Sequence, residues 1–406
     1  MSWEKAKIGD CCEITSSKRI FFSEYVECGV PFYRSKEIIE SSNGQEISEP
    51  LFISQEKYDE IKRNFGVPQP GDMLLTSVGT IGVPYIVKED DYFYFKDGNL
   101  TWFRKFNNKL TSQYLYYWVR SAEGQGVLNN TTIGSSQKAL TIASLKGLEI
   151  PCPPVDVQGR IVEILYSYDA LIENNQKQIK LLEEAAQRLY KEWFVDLRFP
   201  GHETTPITDG IPEGWVKGKI FDFVSTFSGG TPSRTHSEYY SDGTNLWVKT
   251  QELNDGFIFD TEEKITNDAV SNSSAKKIPQ GSILMAMYGA TIGKLGIAAK
   301  ELTCNQACCV FDLSKRRFAT SYLFLWLKEN RDFFVSQGKG AAQPNLSQAM
   351  IKSFDITIPA DNVLLDFAKV IDTMLERIAK LQLQNIGLTD ARDRLLPKLM
   401  NGEIEV

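Results

Sequence analysis

The sequence predicts an α+β protein of two globules of mixed sheet and helix, joined by two long helices that form an antiparallel coiled coil with internal pseudo-two-fold symmetry. Three observations predict this class. One sequence plan occurs twice, each copy ends in a long apolar heptad pattern, and a Pro/Gly/Thr-rich stretch separates the copies. With 406 residues, 42% of them apolar, the chain is long enough for several domains and too apolar to be disordered.

Each copy opens with the same short pattern and repeats a glycine-flanked strand. Trp3 and Ile8 return 212 residues later as Trp215 and Ile220. Further along, the stretch GDMLLTSVGTIG, residues 71–82, returns as GSILMAMYGATIG, residues 281–293. Both stretches predict a turn, a buried strand and a second glycine turn.

From Leu140 the offset between the copies settles at 206, and LTIASLKGLEIPCPPVD matches LSQAMIKSFDITIPADN. The register then continues without gaps into two long helices, in which key positions are spaced alternately by four and three residues, as in a coiled coil. We call these positions the seam: Ile161, Leu165, Tyr168, Ile172, Asn175, Ile179, Leu182, Ala186, Leu189 and Trp193 in the first helix, and Phe367, Ile371, Met374, Ile378, Leu381, Asn385, Leu388, Arg392, Leu395 and Leu399 in the second.

The repeat divides the chain into five segments. They are a first globule (1–153), a central helix (154–197), a connector (198–214), a second globule (215–359), and a distal helix with a C-terminal tail (360–406). The globules diverge in sequence, whereas the helices and the segments leading into them stay alike. This contrast indicates that the globules recognise different targets while the helices share one structural task.

Near two-fold symmetry places the helices antiparallel, so facing seam residues should have numbers with a constant sum. A sum of 560 sets Asn175 against Asn385 and Trp193 against Phe367. Each asparagine then satisfies the amide of the other, whereas burying an unpartnered amide would cost about 1–3 kcal/mol. Gly387 and Pro397 are expected to weaken the second helix towards its end.

Composition excludes several other classes of protein. No apolar run is long enough to cross a bilayer and the N-terminus lacks a signal-peptide pattern, so we expect a cytoplasmic location. Seven scattered cysteines predict free thiols, and two histidines leave few candidates for a histidine triad or metal site. The cluster Cys304, Cys308 and Cys309 is interpreted as part of a buried strand. The net charge of −7 argues mildly against nucleic acid as a partner.

The ordered set of motifs resembles one known family over essentially the whole chain. GDMLLTSVGTIG, LKGLEIPCPPVDVQGRI, EEAAQRLYKEWF and RDRLLPKLMNGEI are similar to stretches of the specificity subunit of type I restriction–modification systems. The resemblance implies that each globule is a target-recognition domain for one half of a bipartite site in double-stranded DNA, and that the paired helices set the spacing. It also implies two methyltransferase subunits and motor-nuclease restriction subunits as partners, which would carry S-adenosylmethionine, ATP and magnesium.

Missing motifs agree with a subunit that has no catalytic residues, no metal and no cofactor of its own. An adenine methyltransferase needs an Asn/Asp-Pro-Pro-aromatic motif, and the Pro-Pro pair of this chain lies in Cys152-Pro153-Pro154-Val155, without the polar head or the aromatic tail. No GxxxxGK[ST] phosphate-binding loop occurs. Methyl transfer and motor chemistry are therefore expected on other chains.

DNA recognition must then come from polar and basic residues on the loops of the globules. Hydroxyls and cations contact phosphates, while Arg, Lys, Asn and Gln recognise base edges. For any single residue, a solvated loop position remains an alternative interpretation. The candidates are Ser16, Ser17, Lys18, Arg19, Arg34, Lys36, Thr80, Asn129, Asn130, Thr132, Ser135, Gln137 and Lys138 in the first globule, and Thr231, Ser233, Arg234, Lys249, Gln251, Tyr288, Thr291, Lys339, Gln343 and Asn345 in the second.

Two other functions are compatible with the repeat and the seam. One is a bipartite DNA-binding protein that works alone, which predicts tight, sequence-specific binding by the isolated chain. The other is a coiled-coil interaction scaffold without nucleic acid, which predicts no salt-dependent DNA binding.

Overall fold

The chain forms two compact units, each built around one globule and a part of both long helices. The computed structural model describes residues 3–45, 47–134, 138–337 and 345–406. Unit 1 comprises Met1–Glu173 and Ile386–Val406, and unit 2 comprises Asn174–Asn385. Both units mix helix and sheet, which confirms the predicted fold class.

Unit 1 contains two four-stranded sheets, β2-β9-β6-β7 and β3-β5-β4-β8, and an antiparallel pair, β1-β10. Its strands are β1 (Lys5–Lys7), β2 (Glu13–Thr15), β3 (Tyr25–Val26), β4 (Val30–Tyr33), β5 (Phe52–Ile53), β6 (Met73–Thr76), β7 (Pro84–Ile86), β8 (Tyr94–Phe95), β9 (Leu100–Arg104) and β10 (Glu149–Pro151). Its shorter helices are α1 (Ile8–Cys11), α2 (Ser35–Ser42), α3 (Gln55–Asn64), α4 (Ser112–Arg120), α5 (Ala122–Thr131) and α6 (Ile142–Lys146).

Unit 2 repeats this plan with a five-stranded sheet, β14-β21-β18-β19-β16, a three-stranded sheet, β17-β15-β20, and the pairs β13-β22 and β11-β12. Its strands are β11 (Ile207–Thr208), β12 (Ile211–Pro212), β13 (Val216–Lys219), β14 (Ser225–Ser228), β15 (Asn245–Val248), β16 (Gly256–Ile258), β17 (Lys264–Ile265), β18 (Ile283–Ala286), β19 (Leu295–Ala298), β20 (Thr303–Cys304), β21 (Cys308–Asp312) and β22 (Asp355–Ile358). Its shorter helices are α8 (Ile220–Phe223), α9 (Asn267–Ser271), α10 (Thr320–Glu329), α11 (Arg331–Gln337) and α12 (Gln348–Ser353). Two long helices, α7 (Val155–Tyr190) and α13 (Asp361–Met400), contribute residues to both units.

The central strand of the main sheet is buried on both faces in each unit, as its apolar run predicts. In β6, Met73 and Leu75 pack into the core that holds α4, while Leu74 faces a second cluster around Trp102. In β18 the alternate residues likewise divide between two clusters. The parallel pair β4-β8 also has its counterpart in β15-β20. The predicted internal repeat is therefore confirmed in three dimensions.

The long helices run antiparallel in each unit. In unit 2 the Asn175 Nδ2 donates to Asn385 Oδ1 over 2.8 Å, and the rings of Trp193 and Phe367 lie 5.4 Å apart. Residue numbers rise along one helix as they fall along the other, and both pairs sum to 560. The pairing expected from that sum is the one present in unit 2.

In unit 1 the ends of the two helices pack into the globule core. Ile161 and Leu165 share a cluster with Leu399, and all three are at most 1% exposed. The expected weakening of α13 at Gly387 and Pro397 does not interrupt it, since the helix continues to Met400. Burial of its last apolar residues compensates for the single backbone hydrogen bond that a proline removes.

The connector between the copies contains the hairpin β11-β12. After α7, the chain adds one turn of π-helix at Lys191–Val195 before this connector. Short 3-10 turns complete the described structure at Phe22–Glu24, His202–Thr204, Ser237–Tyr239, Thr250–Glu252, Gly289–Thr291 and Arg317–Ala319.

Candidate nucleic-acid interface

A pair of loops at the end of β6 forms the first candidate surface in unit 1. Val78 pairs with Ala139, which also pairs with Ile133 through two backbone hydrogen bonds of 2.9 Å. The Leu140 N–H donates to the Ser77 carbonyl over 2.9 Å. These bonds bring the loop after β6 against the segment after α5, although about 60 residues separate them in sequence.

This loop pair, residues 77–82 with 129–134 and 138–140, brings together candidates that are far apart in the sequence. Thr80 lies between Gly79 and Gly82, whose positive φ angles of 77° and 83° form the tight turn that exposes it. The Thr132 hydroxyl donates to the Asn129 carbonyl over 2.8 Å. The exposed candidates here are Thr80, Asn129, Asn130 and Lys138. Ser135 and Gln137 lie outside the described residues.

Unit 2 contains the same loop pair with different side chains. Tyr288 pairs with Asn345, and the Leu346 N–H donates to the Met287 carbonyl over 2.9 Å, as Leu140 does to Ser77 in unit 1. Tyr288 is 40% exposed, Asn345 is exposed and Thr291 is half-buried. Lys339 and Gln343 lie outside the described residues. One backbone arrangement thus displays different polar groups in the two units.

A second group of candidates in unit 1 follows β2. The Lys18 backbone N–H donates to the Tyr94 hydroxyl over 2.6 Å, and its ammonium lies 4.4 Å from the centre of the Phe65 ring. The Arg19 guanidinium is bound to Asp97 at 2.8 Å and remains largely exposed. Ser16 and Ser17 are half-buried, and the Ser16 hydroxyl accepts weakly from a loop N–H at 3.5 Å. Lys18 and Arg19 therefore project from this segment into solvent.

Arg34 has a structural task that the sequence did not reveal. The Glu37 side chain is 0% exposed and accepts from the Arg34 backbone N–H at 2.6 Å and from its guanidinium Nε at 3.1 Å. This hydrogen bonding raises the pKa of Arg34 above its usual value. A buried carboxylate needs such a partner. Lys36, by contrast, forms an exposed ion pair with Glu49 at 2.9 Å.

Unit 2 has the same hydrogen bond, from a backbone N–H to the glutamate three residues later, directly after β15. The Lys249 N–H donates to the Glu252 carboxylate over 2.7 Å, just as Arg34 does to Glu37. The Lys249 ammonium additionally lies 2.8 Å from Glu262. The corresponding letters, RSKE and KTQE, are 215 residues apart. This offset differs from the 212 and 206 of the longer matches, so the correspondence is not evident from the sequence alone.

The remaining candidates of unit 2 are Thr231, Ser233 and Arg234 on the segment after β14, and Gln251 in the turn after β15. The Arg234 guanidinium lies 4.0 Å from the centre of the Tyr240 ring and binds Glu263 at 2.6 Å. Hydrogen bonding to Glu263 raises the pKa of Arg234. Thr231 bonds to Gln306, Ser233 bonds to Thr235 over 2.7 Å, and Gln251 is exposed.

Most of the candidate cations are held in ion pairs near the surface. Arg19, Lys36, Arg234 and Lys249 are all paired with carboxylates near the surface, so the candidate surfaces are close to electrical balance rather than strongly basic. Exposed ion pairs contribute only about 0–1 kcal/mol each. Breaking such a pair therefore costs little stability, although the carboxylate that stays beside the cation opposes the approach of a phosphate.

The structure also exposes aromatic residues that the polar candidate set omitted. Phe21 and Phe22 are 62% and 86% exposed on the segment between β2 and β3, beside Lys18 and Arg19. They line a surface concavity of about 360 Å³. In a sequence an exposed phenylalanine has no signature that separates it from a core residue, so only the structure could identify this pair.

The cysteines and histidines do not assemble a site among the residues that the structure describes. Cys304 on β20 and Cys308 and Cys309 on β21 are fully buried, which confirms that they are apolar strand residues. The expectation of one strand is wrong, because a turn divides the stretch into two strands that belong to different sheets. Burial raises the pKa of Cys309 to about 12. Within the described ranges, no group of three His, Cys, Asp or Glu side chains could hold a metal ion, and no helix is long and apolar enough to cross a membrane.

Comparison with known proteins identifies the repeated scaffold. The family model for the type I restriction modification DNA specificity domain matches residues 1–184 and again residues 212–386. The chain belongs to this family. The two matches coincide with the two copies of the plan. The first includes most of α7, and the second extends into α13 as far as residue 386.

Relatives of this family member match all or a large part of its length. The specificity subunit of the type I restriction enzyme MjaIX of Methanocaldococcus jannaschii is 26% identical over 422 residues, which cover 100% of this chain and 94% of that protein. The HindI specificity subunit of Haemophilus influenzae is 24% identical over 328 residues, covering 65% of this chain and 71% of that protein. The crystal structure of the type I S subunit from M. genitalium shares the fold, with a TM-score of 0.61 at 14% identity over 98% of this chain and 96% of that one.

Proposed function

We propose that the chain is the DNA-recognition subunit of a type I restriction–modification complex, in which each globule binds one half of a bipartite site in double-stranded DNA. The observation that carries this proposal is the repeated loop pair. The same backbone hydrogen bonds join Ser77 to Leu140 in unit 1 and Met287 to Leu346 in unit 2, while the side chains displayed around them differ. A common scaffold with divergent polar loops suits two modules that bind different sequences.

The displayed groups suit duplex DNA. Asparagine and arginine recognise base edges in the major groove, whereas hydroxyls and lysines bind phosphates and position the protein. Asn129, Asn130 and Asn345 are exposed amides on the loop pairs. Lys18, on the segment after β2, and Arg234, on the segment after β14, are exposed cations. The net charge of −7 does not exclude this function, because phosphate binding depends on the groups at the contact, and Lys18 is an exposed cation that is in no ion pair among the described residues.

The long helices act as the spacer between the half-sites and as the docking surface for two methyltransferase subunits. The 36 residues of α7 make a helix of about 54 Å at 1.5 Å per residue. The Asn175–Asn385 pair supports this role, because a polar pair at seam positions fixes the register of a coiled coil. A fixed register gives a fixed spacing.

The chemistry belongs to the partner subunits. Methylation of adenine with S-adenosylmethionine and translocation or cleavage with ATP and magnesium would occur on the methyltransferase and restriction subunits. The absence from this sequence of the methyltransferase motif and of a phosphate-binding loop supports this division. The chain contributes binding and geometry.

Methylome sequencing tests the function directly. A host carrying this gene together with its methyltransferase gene should show adenine methylation at a split motif, two short specific halves around an unspecified spacer. Deletion of this gene alone should abolish that methylation. A methylome that is unchanged by the deletion would refute the proposal.

A further inference from the structure

Two adjacent phenylalanines of unit 1 face solvent on the segment between β2 and β3. Phe22 is 86% exposed and Phe21 is 62% exposed. Burying a phenylalanine side chain is strongly favourable, so a folded chain ordinarily places such residues in its core. Neighbouring large apolar side chains at a surface are typical of an interaction site.

Contacts within the segment and with α3 fix the backbone of Phe21 and the ring of Phe22. The Phe21 N–H donates to the Glu24 carboxylate over 2.8 Å, and Glu24 in turn binds Lys57 of α3 at 3.0 Å. The backbone hydrogen bond from Phe21 and the neighbouring Lys57 lower the pKa of Glu24. The Phe22 ring meets Tyr25 edge-on, with ring centres 5.5 Å apart. A surface fixed in this way loses little conformational entropy when it binds a partner.

The surroundings of the rings indicate the chemistry of the partner. Besides the two phenylalanines, the concavity of about 360 Å³ is lined by apolar groups and by the cations Arg34 and Lys96. Among the described residues Lys96 has no ion-pair partner. Lys18 is exposed on the same segment as the two phenylalanines. Arg34 already has Glu37 as its counter-charge, but an apolar partner, such as a lipid or a hydrophobic helix, would cover Lys96 and Lys18 without supplying one. Aromatic rings beside cations fit a nucleotide, whose base contacts the ring while its phosphate meets the cation.

The feature occurs in one unit only. The corresponding segment of unit 2, residues 229–244, contains no phenylalanine. Its aromatic residues Tyr239 and Tyr240 are half-buried, and the Tyr240 ring is covered by Arg234. A contact made by Phe21 and Phe22 would therefore serve one half-site and leave the other unaffected.

We propose that Phe21 and Phe22 make apolar contact with bases of the half-site bound by unit 1, and that this contact contributes to the choice of sequence. The inference rests on the proposed function and adds two residues that determine specificity. Aromatic side chains contact bases either at the methyl group of thymine in the major groove or by stacking on a partly unstacked base step. Both contacts use the same apolar chemistry.

The test uses the complex of the full chain with its methyltransferase subunits, and a duplex carrying the motif found in the wild-type methylome. Phe22→Ala should raise the Kd for this duplex roughly 5- to 150-fold, and leave the Kd for an unrelated duplex unchanged. Phe22→Tyr should retain most of the affinity. Phe221→Ala, which truncates a phenylalanine that is 58% exposed in unit 2, is the matched control and should leave both halves of the motif unchanged.

Two modified duplexes distinguish the modes of contact. If the ring contacts a methyl group, replacing thymine by deoxyuridine in the half-site should abolish the difference in Kd between the wild type and Phe22→Ala. If the ring stacks on a base, it separates that base from its neighbour. The fluorescence of a 2-aminopurine placed there should then rise on binding of the wild type but not of the variant. In the methylome, Phe22→Ala should relax one half of the motif only.

Three results would overturn the inference: an unchanged Kd and motif for Phe22→Ala, equal relaxation of both halves, or no response to either modified duplex. A wild-type complex without a split motif would instead refute the proposed function. Circular dichroism of Phe22→Ala and Phe22→Tyr separates a loss of folding from a loss of contact.

Discussion

The paired seam asparagines allow a quantitative test of the helix register. Asn175 is 5% exposed, and its amide donates to Asn385 at 2.8 Å and to Gln384 at 3.3 Å. Replacing Asn175 with leucine removes both hydrogen bonds and leaves the Asn385 amide against an apolar side chain. Asn385 is half-buried, so leaving its amide without a partner costs towards the lower end of about 1–3 kcal/mol. The larger leucine must fit at a position that is only 5% exposed, which limits what its own burial regains. We therefore expect Asn175→Leu to lower the free energy of unfolding by about 1–2 kcal/mol.

The double variant Asn175→Leu/Asn385→Leu should be more stable than either single variant, because no amide remains without a partner. It should also lose part of its register specificity, since neighbouring pairings in steps of seven then become comparable in energy. Urea unfolding followed by circular dichroism measures the four stabilities of this cycle. Asn174→Leu, at an exposed position next to the seam, is the control and should be close to neutral. Neutral single variants, or a double variant that is the least stable of all, would refute the reasoning.

Three further expectations follow from the contacts. Arg34→Ala should destabilise the chain by about 2–4 kcal/mol, because Glu37 is 0% exposed and loses its cation. Arg234→Ala should lower the unfolding free energy by less than about 1 kcal/mol, since its ion pair and ring contact are near the surface, and should weaken specific DNA binding by about 1–3 kcal/mol. Urea unfolding measures the first effect and fluorescence anisotropy the second. Asp169→Asn should lower the unfolding free energy by about 1–2 kcal/mol, because Tyr117 and Arg120 of α4 and Arg392 of α13 all donate to this carboxylate. Asp156→Asn is the control; its ion pair is exposed, so it should change the unfolding free energy by less than about 0.5 kcal/mol. Inserting four residues, about one turn, into α7 should lengthen the spacer of the methylated motif without altering either half; an unchanged spacer would show that the helices do not set the distance.

The parts of the fold that follow from periodicity could be predicted from the sequence. The constant offset of 206 and the alternating spacing of the seam are properties of the residue order itself, and together with the cost of an unpaired amide they select the pairing of Asn175 with Asn385. The burial of β6 and β18 likewise follows from their apolar runs between glycine turns. Such features depend on local pattern and on a repeat that the chain displays twice.

The arrangement of the candidate surface could not be predicted, because it depends on contacts between distant segments. Nothing in the sequence pairs Val78 with Ala139, and nothing distinguishes Arg34, bound to a buried carboxylate, from Arg234, which is largely exposed. Exposure of Phe22 is equally invisible in the sequence, since a phenylalanine in a variable globule is ordinarily a core residue. Loops of this kind are fixed by tertiary packing rather than by local preference.

The most direct test of the central claim is a globule exchange followed by methylome sequencing. Residues 1–153 are replaced by the corresponding globule of a related specificity subunit with a known motif, and the helices and second globule are kept. If each unit binds its half-site independently on a common helical spacer, one half of the methylated motif changes to that of the donor, while the other half and the spacer length stay the same. A change in both halves together, or a spacer that follows the donor globule, would contradict the account.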